Sequence, residues 1–328
     1  MKRPKKDRKA KSNSKKPKTR RVAGKLKIGL LHSGSKNNSD IKTQIDALFD
    51  VIGMCGFPRQ DLDIQPSYAE DHQEDLETLA KTLVGMNLKI LIAAGGSASA
   101  YAAQAATASM ANPPPVVFTS VADPADLTEK NMTGVCARTS ALDAERLKWL
   151  QVLMPTESTF YALTNSARPN FDDEWKALQD AAKSLNVQTL TKVDVPSTSN
   201  RVENDIDDKL KMYTSANPQP LLVTADPLFN NHRRAIVTLV QKYNFAAIYQ
   251  WREFVDAKGL MSFGTKLTQA YRIAGAYAGL ILAKKNGPDE LPVVFAGTEL
   301  VINAKAAKDL SFTIPPLLLA AADDLVEK

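Results

Sequence analysis

From residue 25 onward, short apolar runs alternate with longer amphipathic stretches. Residues 27–31 read as a first strand, ended by the polar turn of His32, Ser33, Gly34 and Ser35. Residues 40–53 place Ile41, Ile45, Leu48, Phe49 and Ile52 at three- and four-residue steps, which is one face of a helix. Residues 63–68 predict a second strand. Pro66 within it cannot donate to a ladder and marks a sheet edge. Residues 71–86 predict a helix with Leu76, Leu79, Ala80 and Leu83 on one side. Residues 89–94 are apolar without alternation, as in a parallel strand covered on both faces. Gly95, Gly96 and Ser97 turn that strand into an alanine-rich helix over 98–110, and strands at 116–120 and 133–135 follow. A βαβ series of this kind folds as a doubly wound sheet.

The pattern then restarts. Helix 142–153 leads into strand 160–163, helix 172–185, strand 188–193, helix 202–213, strand 221–223, helix 233–243 and strand 247–249. A further helix is predicted over 269–284. The expected fold class is therefore α/β, with two Rossmann-like doubly wound lobes joined by a hinge. The 328 residues suit two cores better than one. The repeat is architectural, without residue-level identity between the halves.

Net charge changes the picture only at the N-terminus. The formal charge is +6, yet residues 1–24 hold 12 Lys and Arg against the single acid Asp7, so the remainder carries about −5. This basic segment has little apolar content to bury and is expected to be disordered. Two readings of it stand: contact with nucleic acid or an anionic surface, or a functionally silent extension. Arg20 and Arg21 are followed by charge-interrupted sequence (Val22 to Lys27) and not by the apolar core of an export signal. No apolar run approaches the length of a membrane span. Cys55 and Cys136 form no metal or redox pattern.

In doubly wound sheets, ligands sit beyond the carboxyl ends of the strands. Those ends carry Ser33 to Ser35, Gly95 to Ser97, Ser120 with Asp123, Asn165 with Ser166, Asp226, and Tyr249 to Arg252. Short polar side chains and bare amides suit a polar solute at helix N-termini. Asp123 and Asp226 both precede proline, and each either forms a turn or accepts a ligand ammonium. Reactive constellations are missing from the sequence. His32, His72 and His232 lie far apart, and Gly95-Gly96-Ser97-Ala98-Ser99 lacks the second glycine of a nucleophile elbow. There is no GxGxxG and no Walker A stretch, so no catalytic residue, metal or cofactor is expected. Gly275 and Gly279, four residues apart in the 269–284 helix, predict close helix packing, within a lobe in preference to between subunits.

Several segments resemble the substrate-binding proteins of ABC transporters, typified by tryptophan/tyrosine-type uptake proteins. They are Thr224-Ala225-Asp226-Pro227-Leu228-Phe229, Arg233-Arg234-Ala235-Ile236-Val237, residues 247–255 around Tyr249-Gln250-Trp251-Arg252, and Gly259-Leu260-Met261-Ser262-Phe263-Gly264. Glu299 to Asn303 and Thr313-Ile314-Pro315-Pro316 are similar to the same family's closing signature. The resemblance implies a type I periplasmic-binding fold with three crossovers. One lobe would hold 25–145 and about 263–290, the other 146–262 and about 291–328. It implies a solute-binding protein that delivers a small polar metabolite, such as an aromatic or related amino acid, to an ABC permease. A monomer is expected, periplasmic by resemblance but without a visible signal. The ligand contacts carried over are Ser33, Ser35, Gly96, Ser97, Ser120, Asn165, Asp226 and Tyr249, with Phe229 and Phe263 as apolar walls. Arg252 pairs either with a ligand carboxylate or within its own motif. The alternative is a cytoplasmic ligand sensor of the same fold acting through a partner or the basic segment.

Overall fold

The computed structural model describes residues 24–70, 72–125, 127, 129–168, 171–196 and 201–327. The basic segment, apart from Gly24, lies outside the described residues. The first lobe opens with β1 (Leu26–His32), α1 (Ser39–Met54), β2 (Leu62–Tyr68), α2 (Leu76–Val84), β3 (Ile90–Ala94), α3 (Ser97–Thr107), β4 (Val116–Val121) and β5 (Met132–Cys136). The second follows with α4 (Asp143–Leu153), β6 (Thr159–Thr164), α5 (Phe171–Ser184), β7 (Thr189–Asp194), α6 (Val202–Leu210), β8 (Gln219–Val223), α7 (Pro227–Asn231), α8 (Arg233–Lys242), β9 (Phe245–Tyr249), α9 (Arg252–Asp256) and β10 (Met261–Thr265). The chain then returns through α10 (Leu267–Leu282) and β11 (Val294–Phe295), and finishes with β12 (Thr298–Asn303), α11 (Ala304–Asp309), α12 (Pro316–Ala321) and β13 (Asp324–Val326).

Two sheets result, ordered β11-β5-β4-β3-β1-β2 and β13-β12-β10-β9-β8-β6-β7. The first is parallel throughout; the second has one antiparallel pair, β10 with β12. Register follows the apolar runs: Ile28 of β1 lies opposite Ile64 on one side and Ile90 on the other. β3 is central and every residue in it is buried, while β2, with Pro66, is an edge strand as its proline requires. Each sheet carries an apolar layer on both faces. In the first lobe these layers are built on Leu48, Phe49 and Tyr271 on one side and on Leu83, Leu91 and Phe118 on the other.

The chain crosses between sheets after β5, between β10 and α10, and between β11 and β12. Strand pairing keeps the chain in the second sheet through Thr265 and in the first through Phe295, a few residues beyond the boundaries of about 263 and about 290 drawn from the resemblance. α10 lies against α1, and its two glycines make the approach: a Cβ on Gly275 would sit 2.4 Å from the Leu48 carbonyl, and one on Gly279 2.5 Å from Cys55 Sγ.

The crossovers are fastened by a buried arginine. Arg146 of α4 is fully buried; its Nε donates to the Phe263 carbonyl at 2.7 Å and its Nη1 to the Thr139 carbonyl at 3.2 Å. It also pairs with Asp143 one turn earlier. Thr265 Oγ1 donates to the Arg138 carbonyl at 2.9 Å, tying the first two crossings together.

The elements differ from the periodicity in two ways. The predicted 71–86 helix begins as a 3-10 turn over Gln73–Asp75 before α2 proper. Short helices α7 and α9 occupy segments too brief for a periodic signal; α7 starts where Asp226 caps and Pro227 supplies a preset first-turn φ.

Candidate ligand-binding cleft

A cleft of about 650 Å³ lies between the lobes, at the carboxyl ends of both sheets. On the first-lobe side, β1 is followed by Ser33 and Gly34, and β3 by Gly95 and Gly96. Both glycines of that turn have positive φ (+87° and +113°). A Cβ on Gly95 would also approach Ser33 Oγ to 2.5 Å, so the turn requires glycine there. α3 then starts with no side-chain cap, and its first turn at Gly96, Ser97 and Ala98 lines the cleft. Uncapped amides at a helix N-terminus attract a negative group. Ser33 Oγ donates to the Gly95 carbonyl at 2.7 Å, and Ser97 Oγ accepts from the Ala122 amide at 3.1 Å, which holds the turn against β4. Ser120 completes this wall with φ +64°, a strained conformation for a residue with a Cβ.

The second-lobe wall is built on Asp226. β8 ends beside it, and its side chain caps α7, Oδ1 accepting from the Leu228 amide at 2.6 Å. It is buried, and its Oδ2 has no hydrogen-bond partner among the described residues. Arg168 Nε stands 3.9 Å away but is turned to the Glu174 carboxylate, with bonds of 3.0 and 2.8 Å, and to the Ala225 carbonyl. Burial pushes the Asp226 carboxyl above its ordinary pKa; Arg168, the Leu228 amide and the Asn165 side chain pull it back. Asn165, Asn230 and Trp251 line the same wall.

Ser33, Gly96, Ser97, Ser120, Asn165 and Asp226 are thus brought to one opening. Four expected contacts are corrected. Phe229 is fully buried in the second-lobe core. Tyr249 is buried in the same layer and stacked on Phe254, with ring centroids 4.7 Å apart. Phe263 is buried in the opposite layer, beside Trp149 at 6.2 Å. The strand side chains of Tyr249 and Phe263 point to a sheet face and meet the covering helices instead of the cleft, while Phe229 sits on the face of α7 turned to the core. Ser35 does not line the cleft either; its Oγ accepts from the Asn37 amide at 3.2 Å within the turn. Asp123 also forms a turn, accepting from the Ala125 amide at 2.9 Å. Arg252 is held within the second lobe by Asp324 at 2.6 Å, with Asp256 and Glu299 each at 3.8 Å.

Several lining groups were not expected. Tyr271, from the second turn of α10, reaches the cleft because the chain returns to the first lobe. His32 lies beneath it: Nδ1 accepts from the Gly34 amide at 2.9 Å, and Nε2 stands 3.0 Å from the Tyr271 hydroxyl. Burial pushes the His32 ring down to about 4. At the rim, Gln44 of α1 donates to Glu253 of α9 at 3.4 Å, and Asp40 pairs with Arg233. Glu253 is pushed up to about 7, chiefly by burial and further by Asp40 and Asp256, with Arg233 opposing.

Among the described residues no group of three or more His, Cys, Asp or Glu stands together as a metal site, and no helix is long and apolar enough to cross a membrane. Two doubly wound lobes around a cleft, crossed by three chain segments, are the architecture of the two-lobed type I periplasmic-binding fold. The chain belongs to the ABC transporter substrate binding protein family, whose sequence model matches residues 48–326. That family is one of binding proteins, not enzymes, and its members serve a small-molecule ligand and an ABC permease. No curated protein matches the chain.

Solved structures share the type I periplasmic-binding fold. A conserved domain protein from Vibrio cholerae is 20% identical over 92% of this chain and 99% of its own, with a TM-score of 0.76. The ABC domain from Streptococcus pneumonia, solved in complex with L-Trp, is 22% identical over 92% and 100%, with a TM-score of 0.74. The ligand-free, open structure of CD0873, a substrate binding protein with adhesive properties from Clostridium difficile, is 18% identical over 92% and 100%, with a TM-score of 0.68.

Proposed function

We propose that this protein captures an amino acid as its zwitterion in the cleft and presents it to an ABC importer. The observation that carries the reading is the buried Asp226 carboxylate, which lines the cleft and whose Oδ2 has no hydrogen-bond partner among the described residues, with the Arg168 Nε 3.9 Å away. A buried acceptor of this kind is costly unless a ligand donor completes it, and an α-ammonium does so with charge. On the opposite wall the uncapped first turn of α3, with Gly96 and Ser97, suits the α-carboxylate, and Ser33, Ser120 and Asn165 supply further hydrogen bonds. Trp251, Leu228, Ile41 and Leu267 give the remaining surface an apolar share suited to an aromatic or aliphatic side chain. The complex of the Streptococcus neighbour with L-Trp supports the same solute class.

A thermal-shift screen of the twenty amino acids, with neutral polar metabolites such as pentoses as controls, tests the reading. A bound solute at about 100 times its Kd stabilises the folded chain by about 2.7 kcal/mol. Stabilisation by one or a few amino acids is expected; stabilisation by the neutral controls alone would overturn the zwitterion reading.

A further inference from the structure

The His32–Tyr271 pair settles the direction of one proton at the cleft. A neutral imidazole has one N–H and one acceptor nitrogen. His32 Nδ1 accepts from the Gly34 amide at 2.9 Å, so the ring proton is on Nε2. Nε2–H then donates across 3.0 Å to the Tyr271 oxygen, which is the acceptor in this contact. Because the Tyr271 oxygen accepts from Nε2–H, the phenolic hydrogen points elsewhere, and no hydrogen bond from it to another acceptor is found among the described residues. Burial keeps the phenol protonated and the imidazole neutral across physiological pH. Both side chains are almost wholly buried yet line the cleft, next to the turn that opens α3.

We propose that Tyr271 is a ligand-contacting residue whose hydroxyl, oriented by His32, donates to an anionic oxygen of the solute, so that the cleft selects for a carboxylate-bearing ligand. The inference deepens the zwitterion reading and rests on it for the identity of the carboxylate. His32 is the positioning residue. It acts through Tyr271 and fixes the hydroxyl as a donor.

Two measurements on the full chain separate this inference from the reading beneath it. The first uses nitrogen NMR of the ligand-free protein. His32 is expected with a bare Nδ1 and a protonated Nε2, and without titration between pH 5 and 8. The opposite tautomer, or a titration near 6.5, overturns the orientation of Tyr271 whether or not any amino acid binds. The second uses calorimetry with L-tryptophan and with tryptamine, which lacks the carboxylate. Tyr271→Phe is expected to weaken L-tryptophan by about 10-fold to 100-fold, the range for a hydrogen bond to a charged group, and to leave tryptamine unchanged. Equal weakening of both ligands, or of neither, refutes the proposal. His32→Gln is expected to weaken L-tryptophan less than Tyr271→Phe does, and to add nothing on the Tyr271→Phe background; additive losses refute the positioning role. Circular dichroism of each variant confirms that it is folded. If L-tryptophan does not bind the wild-type chain, the aromatic amino-acid reading falls, and the tautomer measurement alone decides the role of Tyr271.

Discussion

Asp40, in the first turn of α1, forms an ion pair with Arg233, at the start of α8, and so joins the two lobes at the rim of the cleft. The Asp40 side chain is 36% exposed and the Arg233 side chain 14%. Pairs that open to solvent contribute about 0.2–1 kcal/mol. Asp40→Asn is therefore expected to weaken solute binding by less than about 5-fold while enlarging the radius of gyration of the ligand-free chain in small-angle scattering. An unchanged radius in Asp40→Asn and Arg233→Gln alike would mean that the pair does not hold the lobes together.

Asp226→Asn separates binding from folding. Asparagine caps α7 as well as aspartate does, so the local structure is retained. The substitution removes a buried charge whose Oδ2 has no hydrogen-bond partner among the described residues. The ligand-free melting temperature is expected to stay level or rise, while amino-acid affinity falls at least about 10-fold. Wild-type affinity in the variant would remove Asp226 from the binding site.

Glu253 makes stability depend on pH in a direction unusual for a carboxylate. Its folded pKa of about 7 lies above the ordinary value of 4.5, so the native state holds a proton that the unfolded chain has released. Its contribution to stability accordingly rises as pH falls from about 7 toward 4.5, and the cost of its buried charge is fully present above 7. Glu253→Gln should exceed the wild type in urea denaturation at pH 8 by on the order of 1 kcal/mol. That difference should disappear near pH 4.5. A difference independent of pH would contradict the assignment.

Arg146 holds the crossovers through the Thr139 and Phe263 carbonyls and through Asp143, all buried or partly buried. Arg146→Met leaves a buried carboxylate and two carbonyls without this donor, and a loss of about 3–5 kcal/mol is expected. Adding Asp143→Asn removes the orphaned charge and should restore part of the loss in chemical denaturation. A double variant no more stable than Arg146→Met would exclude the ion pair as the cause.

The two-lobe architecture was legible because parallel strands buried on both faces read as unbroken apolar runs, such as Ile90–Ala94, and the helices between them kept a one-sided period. The strand-end rule reached Asp226, Gly96 and Ser97 because it depends on connectivity alone. It could not tell Asp226 from Asp123, which differ in what surrounds them and not in their Asp-Pro context.

By itself, then, the sequence determined the elements, their doubly wound order and the polar character of the strand ends, since these follow from local period and chain order. Tertiary structure alone decided which strand-end residues face the cleft. Tyr249 and Phe263 turn into the helical layers because a strand side chain's face depends on the sheet's position between its neighbours, and Phe229 of α7 packs down onto the second-lobe core. Tertiary structure likewise set Tyr271 over His32, 239 residues apart, because the third element of that wall arrives only after the chain has folded a second lobe and come back.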